Sequence, residues 1–219
     1  MRTNIYIDGF NLYYASLKDT PYRWLDLKKL SELLLRDTNQ IHKVKLFTAK
    51  VSGTEKDVSK PQRQDRYFDA LKAYIPEMEI YLGHFLTHPV RMPLAKPTTG
   101  QKYAEVIKTE EKGSDVNLSV HFLNDAWLND YDCAVIVSND SDLAQAMHLV
   151  RKHHPNKSIG LFTPERRNVA NELGRKPRAS KQLAQHAHFH KHITPSLLGQ
   201  SQLPETIPGT NLTRPQEWR

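Results

Sequence analysis

Only one cysteine, Cys133, occurs in 219 residues, so no intrachain disulfide framework holds this chain together. It falls inside the apolar run Cys133–Val137, where a thiol reads as a small buried hydrophobe rather than a nucleophile. Long apolar runs are missing as well. No stretch approaches the roughly 20 residues that a membrane helix needs, and the apolar start at Ile5, Tyr6 and Ile7 is broken at once by Asp8, unlike a secretory leader. The expectation is a soluble, cytoplasmic protein with no membrane partner. The nine glycines are thinly spread; neither a nucleotide-binding Gly-rich loop nor an internal repeat is visible.

What is present is unevenly charged. Residues 151–219 hold 12 Lys and Arg against 4 Asp and Glu, whereas residues 1–150 hold 19 against 20. A basic segment after an acid-bearing body suits a polyanionic substrate, because Lys and Arg neutralise flanking phosphates. A solvated basic tail is the plainer alternative. At 219 residues the chain is long enough for one substantial α/β core and short for two. This divides it into an acid-bearing body over residues 1–165 and a basic, His- and Pro-rich arm over residues 166–219.

Periodicity orders the body. Residues 4–7 read as a buried strand, and Gly9 permits the turn into a helix over residues 10–17. Asp26 is placed to cap a helix that carries Leu27, Leu30, Leu33 and Leu34. Residues 44–49 form a second strand, residues 61–75 a helix, and residues 80–82 begin a third strand. Pro89, Pro93, Pro97 and Gly100 then break the pattern, so residues 84–108 read as an inserted hairpin shaping access to a site. A helix over residues 113–128, with Val116, Val120, Leu123 and Trp127 on one face, leads to a strand, a helix over residues 141–152 and a strand over residues 158–162. Residues 168–173 and 180–185 read as short helices. Strands alternating with helices predict an α/β fold, a three-layer α/β/α sandwich around a mainly parallel central sheet.

Four acids punctuate that pattern: Asp8 in IYIDGFN, Asp115 in EEKGSDVNL, and Asp140 and Asp142 in CAVIVSNDSDL. Asp8 and Asp140 follow apolar strands, at the carboxyl ends where open parallel sheets gather ligands. Converging carboxylates suit Mg²⁺ or Mn²⁺, which prefer hard oxygen ligands and activate water against a phosphodiester. Singly the acids are ordinary, since Asp140 or Ser141 also suits a helix cap and Asp115 a first helical turn.

As a set, YIDGFNLYY, KGSDVNLSVHFL and AVIVSNDSDLAQAM resemble the three signature blocks of NYN domains, PIN-like metal-dependent ribonucleases of the LabA/DUF88 type. The resemblance spans residues 4 to about 163 in the family's order. It implies a PIN-like Rossmannoid fold and a metal-dependent endoribonuclease, with Asp8, Asp115, Asp140 and Asp142 as catalytic, metal-binding acids for Mg²⁺ or Mn²⁺. Asn11 matches a polar position after the first acid, Ser138 a small hydroxyl residue at the strand end, and Lys112 a basic position suited to phosphate, all three as substrate-binding residues. Arg166 and Arg167, after the last strand, match loosely as substrate contacts. Asn139 stands where the family often has glycine. The implied partner is RNA, with single-stranded DNA and an oligomeric assembly left open. The competing reading is a catalytically weak nucleic-acid-binding or regulatory NYN-domain protein.

Other signals weigh less. Alternating His186, His188 and His190, with His192, lack the cysteine partners of a structural zinc site and read as polar surface. Tyr13, Tyr14 and Trp24 have faces for base stacking, but read first as core or rim. An aspartyl phosphatase, suggested by the strand ending in Asp8, wants an acid two residues on, where Phe10 stands.

Overall fold

The computed structural model describes residues 1–55, 57–165 and 179–219. Seven strands form one mixed, mostly parallel sheet in the order β4-β3-β2-β1-β5-β6-β7. They are β1 (Arg2–Asp8), β2 (Gln40–Ala49), β3 (Met78–Thr98), β4 (Gln101–Lys112), β5 (Cys133–Val137), β6 (Ser158–Pro164) and β7 (Phe189–Ile193). Among the described residues the helices are α1 (Gly9–Leu12), α2 (Leu27–Leu34), α3 (Lys60–Tyr74), α4 (Ser114–Trp127), α5 (Ala144–His153), α6 (Lys181–Ala184) and α7 (Pro195–Gln200). A π-helical turn, Tyr13–Leu17, continues α1, and a 3-10 turn, Ser141–Leu143, precedes α5.

Strand alternation divides the core. Ile5 and Ile7 join a cluster with Leu12, Leu27, Leu30, Phe68 and Leu71, while Tyr6 between them joins Leu118, Phe122, Met147 and Val150 of α4 and α5. β1 lies between β2 and β5 with parallel pairing on both sides, so the chain order reverses beside it. The second cluster also holds a buried ion pair. Lys45 Nζ lies 2.6 Å from Asp125 Oδ2, and the Tyr6 hydroxyl donates to the same oxygen at 2.6 Å.

The predicted hairpin is there, but it is not a separate insertion. β3 runs unbroken through it, pairing in parallel with β2 up to Gly83 and antiparallel with β4 from His84 onward. Past Gly83 one edge of β3 is free of β2, and Pro89, Pro93 and Pro97, four residues apart, share one edge of the strand, where a missing N–H costs no ladder bond. The root of the ribbon requires glycine. A Cβ on Gly83 would sit 2.4 Å from the Lys112 carbonyl oxygen, and Gly113, at φ 100°, turns the chain into α4.

Two other sequence expectations need correction. Val116, Val120 and Trp127 are exposed, and α4 packs instead through Leu118, Phe122 and Ala126. The apolar residues were assigned to the wrong face because α4 also buries the polar Ser114 and Asp125. The histidine alternation has the two-residue period of an edge strand, β7, parallel to β6. Thr163 Oγ1 lies 2.8 Å from His190 Nε2 and 3.0 Å from His192 Nδ1, and His188 Nδ1 accepts from the Ile159 N–H at 2.9 Å. The rest of the arm packs down: Leu198, Leu203 and Ile207 are buried, Trp24 Nε1 donates to the Pro204 carbonyl, and Trp218 lies against Trp24 and Tyr67. Residues 180–185 contain α6; residues 168–173, Arg166 and Arg167 lie outside the described residues.

Candidate functional site

Asp8 ends β1 and caps α1, accepting the Asn11 N–H on Oδ1 at 2.9 Å. Its other oxygen accepts the hydroxyl of fully buried Ser138 at 2.8 Å, across the β1 to β5 boundary. The Asp140 N–H donates to that same hydroxyl oxygen at 3.0 Å, and Asp140 Oδ1 accepts from the Asp142 N–H at 3.0 Å as it caps the 3-10 turn. Asn11 Oδ1 takes the Asn139 N–H at 3.0 Å. Asn11 and Ser138 therefore fix the two strand ends against each other.

α4 brings its N-terminal turn to the same place. Asp8, Asp115 and Asp140 line one cavity of about 450 Å³, with Asn11, Phe10, Tyr14, Phe85 and Glu111 in its wall. Glu111 was not anticipated. It accepts the N–H and hydroxyl of Ser114 at 3.0 and 2.8 Å, bracing the start of α4; the visible signal was an acid four residues before Asp115. Lys112, next along β4, is exposed and lies 3.4 Å from Glu110. Asp142 is exposed and outside that lining, though its charge reaches Asp115. Asn139 fills its glycine-like position with a contact of its own: Oδ1 accepts the Ser180 N–H at 2.7 Å, tying the turn to the arm.

Among the described residues no cationic side chain lines this cavity, and the electrostatics follow. Burial pushes Asp8 up to about 6, the charges of Asp115 and Asp140 push the same way, and the Asn11 and Ser138 hydrogen bonds oppose them. Asp115 is also raised, first by burial and then by Asp140, Glu111 and Asp142. The oxygen donors are of the hard type that Mg²⁺ or Mn²⁺ prefers. Among the described residues no three His, Cys, Asp or Glu side chains converge tightly enough to cage an ion alone. A hard ion that keeps several waters fits such an open set, with Asp8, Asp115 and Asp140 the residues to hold it.

Comparison with known proteins places this geometry. The NYN domain model matches residues 2–178. The chain belongs to the NYN domain family. That membership suggests a nuclease-like fold and interaction with nucleic acid. A curated relative, 6-hydroxy-3-succinoylpyridine 3-monooxygenase HspA of Pseudomonas putida (strain DSM 28022 / S16), is 33% identical over the whole of this chain and 75% of its own length. A crystal structure of a protein of unknown function from Vibrio parahaemolyticus RIMD 2210633 shares the fold, with a TM-score of 0.56 at 17% identity over 92% of this chain and 96% of that one. Among the described residues no helix is long and apolar enough to cross a membrane.

Proposed function

We propose that this NYN-domain chain is a metal-dependent endoribonuclease on a three-layer α/β/α frame, hydrolysing RNA phosphodiester bonds at Asp8, Asp115, Asp140 and Asp142. The observation that carries this is the gathering of Asp8, Asp115 and Asp140 around one cavity whose lining contains no cation among the described residues. Grouped carboxylates without a counterion oppose their own ionisation, and a divalent cation reverses that opposition. When bound, Mg²⁺ or Mn²⁺ supplies Lewis-acid charge and lowers the pKa of nearby water. Ser138 and Asn11 orient Asp8 and its turn. Lys112, with Arg166 and Arg167, contacts flanking phosphates.

The test is cleavage of mixed RNA and DNA oligomers by the purified protein, with Mn²⁺ and with EDTA, beside an Asp140→Asn, Asp142→Asn double variant. Equal activity in EDTA and Mn²⁺, or in the variant and the native chain, would rule this reading out. A second reading has its own support: the Pseudomonas relative is named for oxidising a hydroxypyridine, and Phe10, Tyr14 and Phe85 give the cavity an aromatic side that suits a small ring. Consumption of that hydroxypyridine without RNA cleavage would favour it. RNA binding without turnover would favour a regulatory role.

A further inference from the structure

Beside the acidic cavity, and sharing Phe10 and Tyr14 with it, lies a second one of about 250 Å³. The π-helical turn separates the two. It directs Tyr14 to both cavities, and Tyr13 and Leu17 to the second alone. Such turns interrupt regular helices and are frequent at functional sites. The second cavity is lined by the aromatic residues Tyr13, Tyr67, Phe68 and Trp218, the last brought in by the arm. Its charge is opposite in kind. Three cations, Arg23, Lys60 and Arg63, meet two carboxylates, Asp19 and Asp57. Arg63 is already paired with Asp57, and Arg23 donates to the Thr20 and Glu217 carbonyls and lies over the Trp218 ring, whereas Lys60 makes no ion pair among the described residues.

From these walls and this charge we infer that the second cavity binds a planar heteroaromatic ring carrying an anionic group, the ring among Tyr13, Tyr67 and Trp218 and the anion toward Lys60. Aromatic side chains accept any flat ring, because every base or heterocycle has a π-face. The neighbouring cavity, whose charged lining among the described residues is carboxylate alone, repels the anion and leaves Lys60 as its partner. The same chemistry is available from a nucleotide, free or within a strand, and from a free heteroaromatic acid. The site stands whether or not the acids next to it cleave phosphodiesters.

Calorimetric titration of the full chain in EDTA tests the inference, using a nucleoside 5′-monophosphate, ribose 5-phosphate and pyridine-3-carboxylate. At least one ring-bearing anion binds saturably, and ribose 5-phosphate binds at least tenfold more weakly. Lys60→Ala weakens the ring-bearing anion about tenfold, and Val51→Trp, which fills the cavity from its rim, abolishes binding with the thermal midpoint unchanged. Preference for the monophosphate identifies a nucleotide as the source, and preference for the pyridine acid identifies a free ring; either supports the site. Ribose 5-phosphate matching the monophosphate, no saturable binding of either ring, or unchanged affinity in both variants would overturn it. RNA cleavage without ring binding would leave the nuclease standing and remove this site alone.

Discussion

The two ends of α4 carry acids of opposite character. Near its C-terminal end Asp125 is buried and compensated, with Lys45 Nζ and the Tyr6 hydroxyl both 2.6 Å away. At its N-terminal end Asp115 faces Asp8, Asp140 and Glu111 with no cation in the cavity lining among the described residues. One element thus presents a carboxylate that holds the sheet and helix together and another that the fold leaves in need of positive charge. A carboxylate kept close to other carboxylates costs stability, which makes the acids at this end of the sheet candidates for a functional site.

The largest effects should separate these ends by kind. Asp8→Asn should reduce Mn²⁺-dependent RNA cleavage to background while circular dichroism and the melting profile remain those of a folded protein. Asp125→Ala should do the reverse. It strands Lys45, 2% exposed, without its main partner, a loss typically worth about 3–5 kcal/mol, so the denaturant midpoint should collapse. A folded Asp125→Ala protein of native stability would remove the contrast.

A smaller effect sits at Ser138, which touches Asp8 and the Asp140 backbone but has no place in the cavity lining. Ser138→Ala should lower cleavage roughly 10- to 100-fold, as supporting hydrogen bonds around metal-binding acids usually do. Increasing Mn²⁺ should restore part of that loss. A loss that no concentration of Mn²⁺ relieves would point to a structural role.

Stability against pH should also report on the acidic site. Asp8 is held at about 6 in the folded state against 3.8 as its ordinary value. Between those values the native protein keeps a proton that the unfolded chain has released, so stability falls as pH rises through that window and levels off above it. Asp8→Asn should flatten the slope and leave the protein about 1–2 kcal/mol more stable at pH 7 in EDTA, less than the full shift because the Asn11 and Ser138 hydrogen bonds are rearranged. Melting curves from pH 4 to 8 check both parts; a less stable variant at pH 7 would contradict the sign.

Much of this contrast was legible in the sequence, and its gaps have physical causes. Asp8 and Asp140 could be placed because each follows a short, wholly apolar strand, and strand order then determines where they meet. Asp115 was visible only as part of a motif. Asp125 passed unnoticed, because its role depends on Lys45, 80 residues away in sequence, which sits on a different strand. β7 was missed since its alternating histidines look like a polar surface until Thr163 is beside them. The long run of β3 was hidden by prolines, which signal a break unless an edge of the strand is unpaired.

The smallest effect should come from Lys112, where sequence and structure point in different directions. The motif suggests a phosphate contact, yet the side chain lies on the same face of β4 as Glu110, 3.4 Å from that carboxylate. Glu110 is held below the usual carboxylate range chiefly by its hydrogen bond to Lys108, with Lys112 the lesser contributor, so it does not depend on Lys112. An exposed lysine with such a partner is free to swing toward a bound strand at little cost. Lys112→Ala should therefore leave the melting midpoint unchanged and reduce the dependence of RNA affinity on log salt by about one unit, uniformly across sequences. An unaltered salt slope would show that Lys112 belongs with its surface ion pair, and that flanking phosphates are held by other cations.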